Sequence, residues 1–115
     1  IQKDITPLIV KLKYKFQRPR PYQLANYYKL NLFPMKSTSA LTPSYPSGHT
    51  IQAIVILTII GNKHPNLYQS CKRLWEDVAY SRIALGVHYP SDNDFSYEVA
   101  NQILKHEKFA EKYAI

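Results

Sequence analysis

The chain has 115 residues, of which 45% are hydrophobic and 20% are charged, a balance that is typical of one folded domain and argues against disorder. Fifteen Lys and Arg against eight Asp and Glu give a net charge of +7. This charge favours anionic partners but does not choose among phosphorylated small molecules, nucleic acid and anionic membranes. The single cysteine, Cys71, excludes an intramolecular disulfide and a multi-cysteine metal site.

The hydrophobic pattern predicts four helices joined by loops rich in Pro, Ser and Asn, and therefore an all-α fold in one domain over residues 1–115. The first helix is predicted over residues 7–17, with Thr6 as N-cap and Pro7 at the first helical position. A long irregular stretch follows from Arg20 to Pro46, with a short helix near Leu24–Lys29. Loops of this length in a small domain usually carry function.

The second predicted helix opens at Ser47-Gly48-His49 and closes with a left-handed cap at Gly61-Asn62. Its run from Ile51 to Ile60 is almost wholly apolar, so this helix is expected at the centre of the fold. About ten apolar residues are too few to span a bilayer, which takes roughly 20. The sequence therefore predicts no membrane span in this chain.

The third and fourth helices complete the predicted fold. The third is expected over residues 65–86, and its apolar face runs into Arg82. The fourth is expected after Pro90, with Ser91 as cap and acidic side chains in the first turn, where they suit the helix dipole. The charged tail over residues 105–112 is expected to prolong it.

Three segments at the ends of these helices carry groups that bind phosphate or transfer protons. In the first, Lys11 and Arg18 are seven residues apart, so a continuous helix presents both on one face. Two cations so placed could hold one anion together. The other interpretation is a plain basic stripe, because Lys13, Lys15 and Arg20 lie nearby.

The second segment is Pro46-Ser47-Gly48-His49, at the predicted start of the apolar helix. Free backbone N–H groups, a glycine that permits close approach and a serine hydroxyl form a cradle for a phosphate or an oxyanion. His49 would then lie beside the bound anion. Taken alone, a histidine near a helix start is more often a capping or surface residue.

The third segment runs from Ser81 to Asp92. Arg82 offers a planar fork of donors that matches phosphate oxygens. His88 has Asp92 four residues further on, where a carboxylate can hold one ring nitrogen and leave the other to attack. This pattern predicts a nucleophilic imidazole.

Together the three segments resemble the signature of the type 2 phosphatidic acid phosphatase superfamily, which includes soluble acid phosphatases, membrane lipid phosphatases and vanadium-dependent haloperoxidases. The matching residues are Lys11 with six residues before Arg18-Pro19, then Pro46-Ser47-Gly48-His49, then Ser81-Arg82 with five residues before His88 and three before Asp92. The resemblance implies a helical bundle of the acid phosphatase and vanadium haloperoxidase type.

The resemblance also implies roles for these residues. His88 attacks phosphorus, His49 protonates the leaving oxygen and later activates water, and Asp92 orients His88. The phosphate-binding set that it implies is Lys11, Arg18, Ser47, Gly48 and Arg82. No metal and no cofactor are expected, since the cations neutralise the phosphate; vanadate would be bound only by a haloperoxidase.

The sequence favours a soluble phosphomonoesterase acting on a phosphorylated small molecule, because the Ser44-Tyr45 pair precedes the cradle as in soluble acid phosphatases. A haloperoxidase is disfavoured because such relatives are much longer. A lipid or isoprenoid-pyrophosphate phosphatase would show the same site if spans preceded this segment. A non-enzymatic module that binds nucleic acid or membrane explains the charge but not the register of the motifs, so no nucleic-acid partner is expected.

Relatives carry more helical sequence before the lysine of the first motif than this chain does. We therefore expect either a segment of a longer protein or a homo-oligomer that covers an exposed flank of Ile51–Ile60. A periplasmic or secreted location, common among relatives, is compatible with the sequence.

Overall fold

The computed structural model describes residues 1–32 and 40–115, and these residues form helices without any strand. The helices are α1 (Gln2–Phe16), α2 (Pro21–Tyr27), α3 (Gly48–Lys63), α4 (Tyr68–Ala84), α5 (Pro90–Lys105) and α6 (Glu107–Tyr113), with a 3-10 turn (Pro65–Leu67) before α4. The predicted all-α class is confirmed. Within the described ranges, no helix combines the length and the apolar character needed to cross a membrane.

The core forms around α3, as its apolar sequence predicts. Ile51 and Val55 of α3 are wholly buried, and burying one such side chain stabilises the fold by about 1.5–3 kcal/mol. Helices α1 and α5 cover α3 from two sides, and α4 packs along it. The buried apolar residues that close this core are Ile5, Ile9, Ile54, Ile59, Val99, Ala100 and Ile103.

Helix α1 begins earlier than predicted. It starts at Gln2 and contains Pro7, so the prediction of Thr6 as N-cap was wrong. Proline removes one helical hydrogen bond, but tertiary packing outweighs that local signal here, because Ile5 in the extra turn is 2% exposed. The short helix predicted near Leu24–Lys29 corresponds to α2, and residues 33–39 of the predicted irregular stretch lie outside the described residues.

Helix α3 continues past its predicted end. Gly61 lies within the helix and is buried, so the predicted left-handed cap at Gly61-Asn62 was wrong. A Cβ at Gly61 would lie 3.2 Å from Cδ2 and 3.3 Å from Cα of Tyr68, which explains the glycine by close approach of the next helix. On the apolar run of α3, Ile60 is 38% exposed, while Ile56 and Leu57 are half-buried. Self-association over this flank stays a prediction.

Helix α5 has Tyr89 as its N-cap, one residue before Pro90, rather than the predicted Ser91. The charged tail does not prolong α5, because the backbone turns at His106 and a separate helix, α6, follows. Lys112 of α6 pairs with Asp4 at 2.7 Å, and this contact holds α6 against α1.

A row of buried polar side chains crosses the core between α3, α4 and α5, and we call it the polar seam. The backbone N–H of Ser47 donates to Oγ of Ser96 at 2.8 Å. The hydroxyl of Thr50 donates to Oδ1 of Asn93 at 3.0 Å, and Nδ2 of Asn93 donates to the carbonyl of Ala79 at 2.8 Å. The seam joins the start of α3 to the start of α5 and to α4.

Candidate active site

A pocket of about 150 Å³ opens where the second half of α1, the first turn of α3 and the loop between α4 and α5 meet. Its lining combines two cations, two imidazoles and an amide. The residues that line it are Ile9, Lys13, Arg20, Gly48, His49, Gln52 and His88.

His88 is 3% exposed and both of its ring nitrogens are engaged. Nε2 lies 2.9 Å from Nη1 of Arg20, and Nδ1 lies 2.9 Å from Oδ2 of Asp92. A guanidinium can only donate, so Nε2 must accept and the proton must sit on Nδ1, where it bonds the carboxylate. Burial lowers the pKa of His88 to about 4, against the opposing hydrogen bond from Asp92. His88 is therefore neutral near pH 7, with its Nε2 lone pair on the pocket side.

Asp92 is wholly buried, and its two oxygens have different partners. Oδ2 accepts from Nδ1 of His88 and from the backbone N–H of Tyr89, both at 2.9 Å. Oδ1 accepts from Nη1 of Arg18 at 2.9 Å and from the hydroxyl of Ser44 at 3.4 Å. The backbone bond from Tyr89 is the N-cap interaction of α5, so the helix start itself fixes this carboxylate.

Lys13 reaches the pocket from the buried face of α1. It is 6% exposed, and its Nζ donates to the carbonyls of Pro43 at 2.8 Å and Pro46 at 2.7 Å. An ammonium carries three donors, so one remains for a ligand. Burial, followed by the charge of Arg20, lowers the pKa of Lys13 to about 8.

Arg20 is 1% exposed and held by backbone oxygens. Its Nε donates to the carbonyl of Thr42 at 2.7 Å, and its Nη1 donates to the carbonyl of Val87 at 3.0 Å as well as to His88. These bonds fix the guanidinium beside Nε2 of the His88 ring.

His49 lies in the first turn of α3 on the open side of the pocket. Desolvation of the ring lowers its pKa, and the charges of Arg82, Lys13 and Arg20 lower it further. Arg82, in the last turn of α4, is 7% exposed and does not line the pocket, but its charge acts on His49. His49 is thus a stronger acid than an ordinary histidine.

The segment Pro46-Ser47-Gly48-His49 forms the start of α3, as predicted. A Cβ at Gly48 would lie 3.3 Å from Cγ2 of Ile9 and 3.8 Å from Cε of Lys13, so the glycine lets α1 approach α3. Ser47 is wholly buried beneath the pocket; its hydroxyl caps α3 and bonds Thr50 at 2.9 Å. In residues 1–32 and 40–115, no group of three His, Cys, Asp or Glu side chains is placed to hold a metal ion.

The sequence pattern of the PAP2 superfamily matches residues 5–97, which include every residue that lines the pocket. The chain belongs to the PAP2 superfamily. This membership confirms the family resemblance read from the three motifs and supports phosphatase-type activity. No curated protein gives a significant match to the sequence.

In this PAP2 chain the spacing of the first motif occurs twice. Lys11 precedes Arg18-Pro19 by six residues, and Lys13 precedes Arg20-Pro21 by the same number. The structure brings the second pair, Lys13 and Arg20, into the pocket with both histidines. Lys11 is exposed on the outer side of α1, and Arg18 contacts Asp92 instead of lining the pocket. The second pair, and not the first, therefore lies at the pocket, and which pair binds phosphate stays a prediction.

The sequence holds a signal that could have found the second register. Ile5, Ile9 and Lys13 are spaced by four residues, so Lys13 continues the apolar face of α1 that must be buried. A lysine on that face has to reach a polar partner inside the fold. Lys11 does not lie on the buried face, because a position two residues before Lys13 falls on the opposite side of the helix.

Proposed function

We propose that this PAP2 chain hydrolyses phosphate monoesters through a phosphohistidine on His88, with His49 as general acid and then general base. One observation carries the proposal. His88 lies at the pocket as a neutral ring whose proton is held on Nδ1 by Asp92, so the lone pair is on Nε2, where it accepts from Arg20 and can attack once Arg20 binds the phosphate instead.

The cations around the pocket support binding of a phosphate dianion. Lys13 keeps one donor for a ligand, and Arg20 lines the same pocket. The amide of Gly48 at the start of α3 adds a helix N-terminus, where anions are stabilised. The charge of Arg82 acts on the same region. With this much positive charge, we propose that hydrolysis needs no divalent ion.

The first step makes and breaks one bond at phosphorus. Nε2 of His88 forms the N–P bond while the P–O bond to the leaving group breaks. Protonated His49 gives its proton to the leaving oxygen. The ring of His88 becomes positively charged, and the carboxylate of Asp92 stabilises that charge through Nδ1.

The second step returns the enzyme to its starting state. Neutral His49 takes a proton from a water molecule, whose oxygen attacks the phosphohistidine. The N–P bond breaks, its electron pair returns to Nε2 of His88, and inorganic phosphate leaves. The pocket, at about 150 Å³, has room for a phosphoryl group and a water molecule, so the rest of the substrate must lie at its mouth.

The experiment is hydrolysis of an aryl phosphate by the chain in excess chelator, with and without vanadate. We expect turnover in chelator and inhibition by vanadate, because trigonal-bipyramidal vanadate resembles the transferring phosphoryl group. Activity that chelator removes and a divalent ion restores would reject the metal-free mechanism. Bromide oxidation by the vanadate-loaded protein with peroxide would favour a haloperoxidase, and turnover of phosphatidate alone would favour a lipid phosphatase.

A further inference from the structure

Arg18 contacts Oδ1 of Asp92, the oxygen that does not bond His88, and it does not line the pocket. Its Nη1 donates to Oδ1 of Asp92 at 2.9 Å and to the hydroxyl of Ser91 at 2.7 Å. Asp92 is wholly buried, whereas the Arg18 side chain is 34% exposed. A buried carboxylate is costly unless a cation or several donors compensate it, and Arg18 supplies that charge from outside.

The guanidinium of Arg18 is held in place by aromatic rings. It lies 4.0 Å from the ring centre of Tyr45 and 5.7 Å from that of Tyr89. Tyr45 in turn stacks on Phe95 with ring centres 4.2 Å apart and an angle of 12°. An arginine fixed by stacking and by two hydrogen bonds has one preferred position, and that position is defined relative to Asp92.

We propose that Arg18 is a positioning residue that acts through Asp92. It anchors Oδ1 so that Oδ2 stays directed at Nδ1 of His88, and it does not bind the phosphate. The proposal rests on the proposed function. It gives Arg18, the arginine of the first pair, a role different from that of Arg20, the arginine of the second pair.

The two roles predict different kinetics. A phosphate-binding residue contributes to the affinity for inorganic phosphate, whereas a positioning residue contributes to the rate of His88 phosphorylation. For Arg18→Ala we expect a kcat that falls about 10–100-fold, by analogy with groups that orient a metal-bound side chain. The inhibition constant of inorganic phosphate should stay within about twofold. Arg18→Lys keeps the charge but loses the planar fork, so its kcat should fall between those of Arg18→Ala and wild type. Lys3→Ala, which removes an exposed cation of α1 outside the site, should behave as wild type.

A double-mutant cycle tests whether Arg18 acts through Asp92. In the Asp92→Asn background, Arg18→Ala should lower kcat by less than about twofold more, because the carboxylate it positions is gone. If the double variant lost kcat by the product of the two single-variant factors, the two residues would act independently and the proposal would be overturned. So would a rise in the inhibition constant of phosphate that matches the loss of activity.

A readout without turnover separates this inference from the proposed function. The NMR signal of the Nδ1 proton of His88, bonded to Asp92, should be sharp in wild type and in Lys3→Ala. It should shift or broaden in Arg18→Ala, and to a lesser extent in Arg18→Lys. An inactive wild type would reject the proposed function while this signal still decides the role of Arg18. An unchanged signal in both Arg18 variants would overturn the inference.

Discussion

Arg20 donates a hydrogen bond to Nε2 of His88, the nitrogen proposed to attack phosphorus, at 2.9 Å. The positive charge of Arg20 disfavours protonation of that nitrogen and so helps to keep the ring neutral. An incoming phosphate offers Arg20 better acceptors, and the guanidinium can then release the lone pair. In the proposed mechanism, Arg20 thus shields Nε2 of His88 before the substrate binds and holds the phosphate afterwards.

The register of the first motif can be tested with two lysines. Lys13→Gln should lower kcat/KM for an aryl phosphate by about 100-fold and weaken inhibition by inorganic phosphate, because a buried donor to the anion is lost. Lys11→Gln should change neither value by more than about twofold, since Lys11 is exposed. The measurement is steady-state kinetics of both variants at equal net charge. If kcat/KM fell as much in Lys11→Gln as in Lys13→Gln, the pair of Lys11 and Arg18 would have to be the one that binds phosphate.

The activity should have an acidic optimum. His88 must be neutral to attack, so kcat/KM should fall as the pH drops below about 4, the pKa of its buried ring. His49 must be protonated to act as acid, and its pKa is lowered from 6.5, so kcat/KM should fall again as the pH rises towards neutrality. A pH profile of kcat/KM measures both limbs. His49→Ala, assayed with nitrophenyl phosphate, should lack the alkaline limb; a plateau that extends above pH 8 in wild type would contradict the assignment.

The two histidines should fail in different ways. His88→Ala should form no phosphoenzyme. His49→Ala should still be phosphorylated by nitrophenyl phosphate, whose leaving group needs little protonation, and should then accumulate phosphoenzyme, because no base activates water. The N–P bond of a phosphohistidine hydrolyses in acid, so the labelling reaction should be quenched with alkali and the protein then separated on a gel. Equal labelling of both variants would refute these roles, and labelling of His88→Ala alone would show that the two roles are exchanged.

Two glycines of α3 form a matched pair. In Gly48→Ala the new Cβ would press on Ile9 and lie 3.8 Å from Cε of Lys13, so we expect kcat/KM to fall about tenfold. Better helix propensity, up to about 1 kcal/mol, should offset the strain, and the thermal midpoint should change little. Gly61→Ala instead meets the backbone of Tyr68 at 3.3 Å and should destabilise by about 1–3 kcal/mol without loss of kcat. Thermal unfolding and kinetics on both variants check this; the reverse pattern would contradict the assigned contacts.

The helix content of the fold and two of the three motif positions could be predicted from the sequence. The run Ile51–Ile60 is almost wholly apolar, which favours a central helix, and the histidines follow from fixed spacings within short segments. The spacing of the first motif could not choose a register, because both pairs satisfy it. Only the three-dimensional packing of α1 on α3 distinguishes Lys13, on the buried face, from Lys11, on the exposed one.

Other features depend on contacts that no local pattern carries. The N-terminal turn of α1 survives a proline because Ile5 is buried and Asp4 pairs with Lys112, which is 108 residues away in sequence. In the sequence Gly61 resembles a residue that ends a helix. In the structure it is needed because a side chain there would collide with Tyr68. Local signals of this kind are weak priors that tertiary packing can override.

The polar seam fixes the position of the α3 turn that carries His49 relative to the start of α5, which carries Asp92. His49 follows Ser47 on α3, and Asp92 lies between the seam residue Asn93 and the N-cap of α5. If α3 slid by one residue along α5, the bonds Ser47–Ser96 and Thr50–Asn93 would both break inside an apolar core, where unpaired polar groups are costly. The two helices are therefore locked in one axial register, and the core fixes the position of His49 on α3 relative to Asp92, the carboxylate that bonds His88.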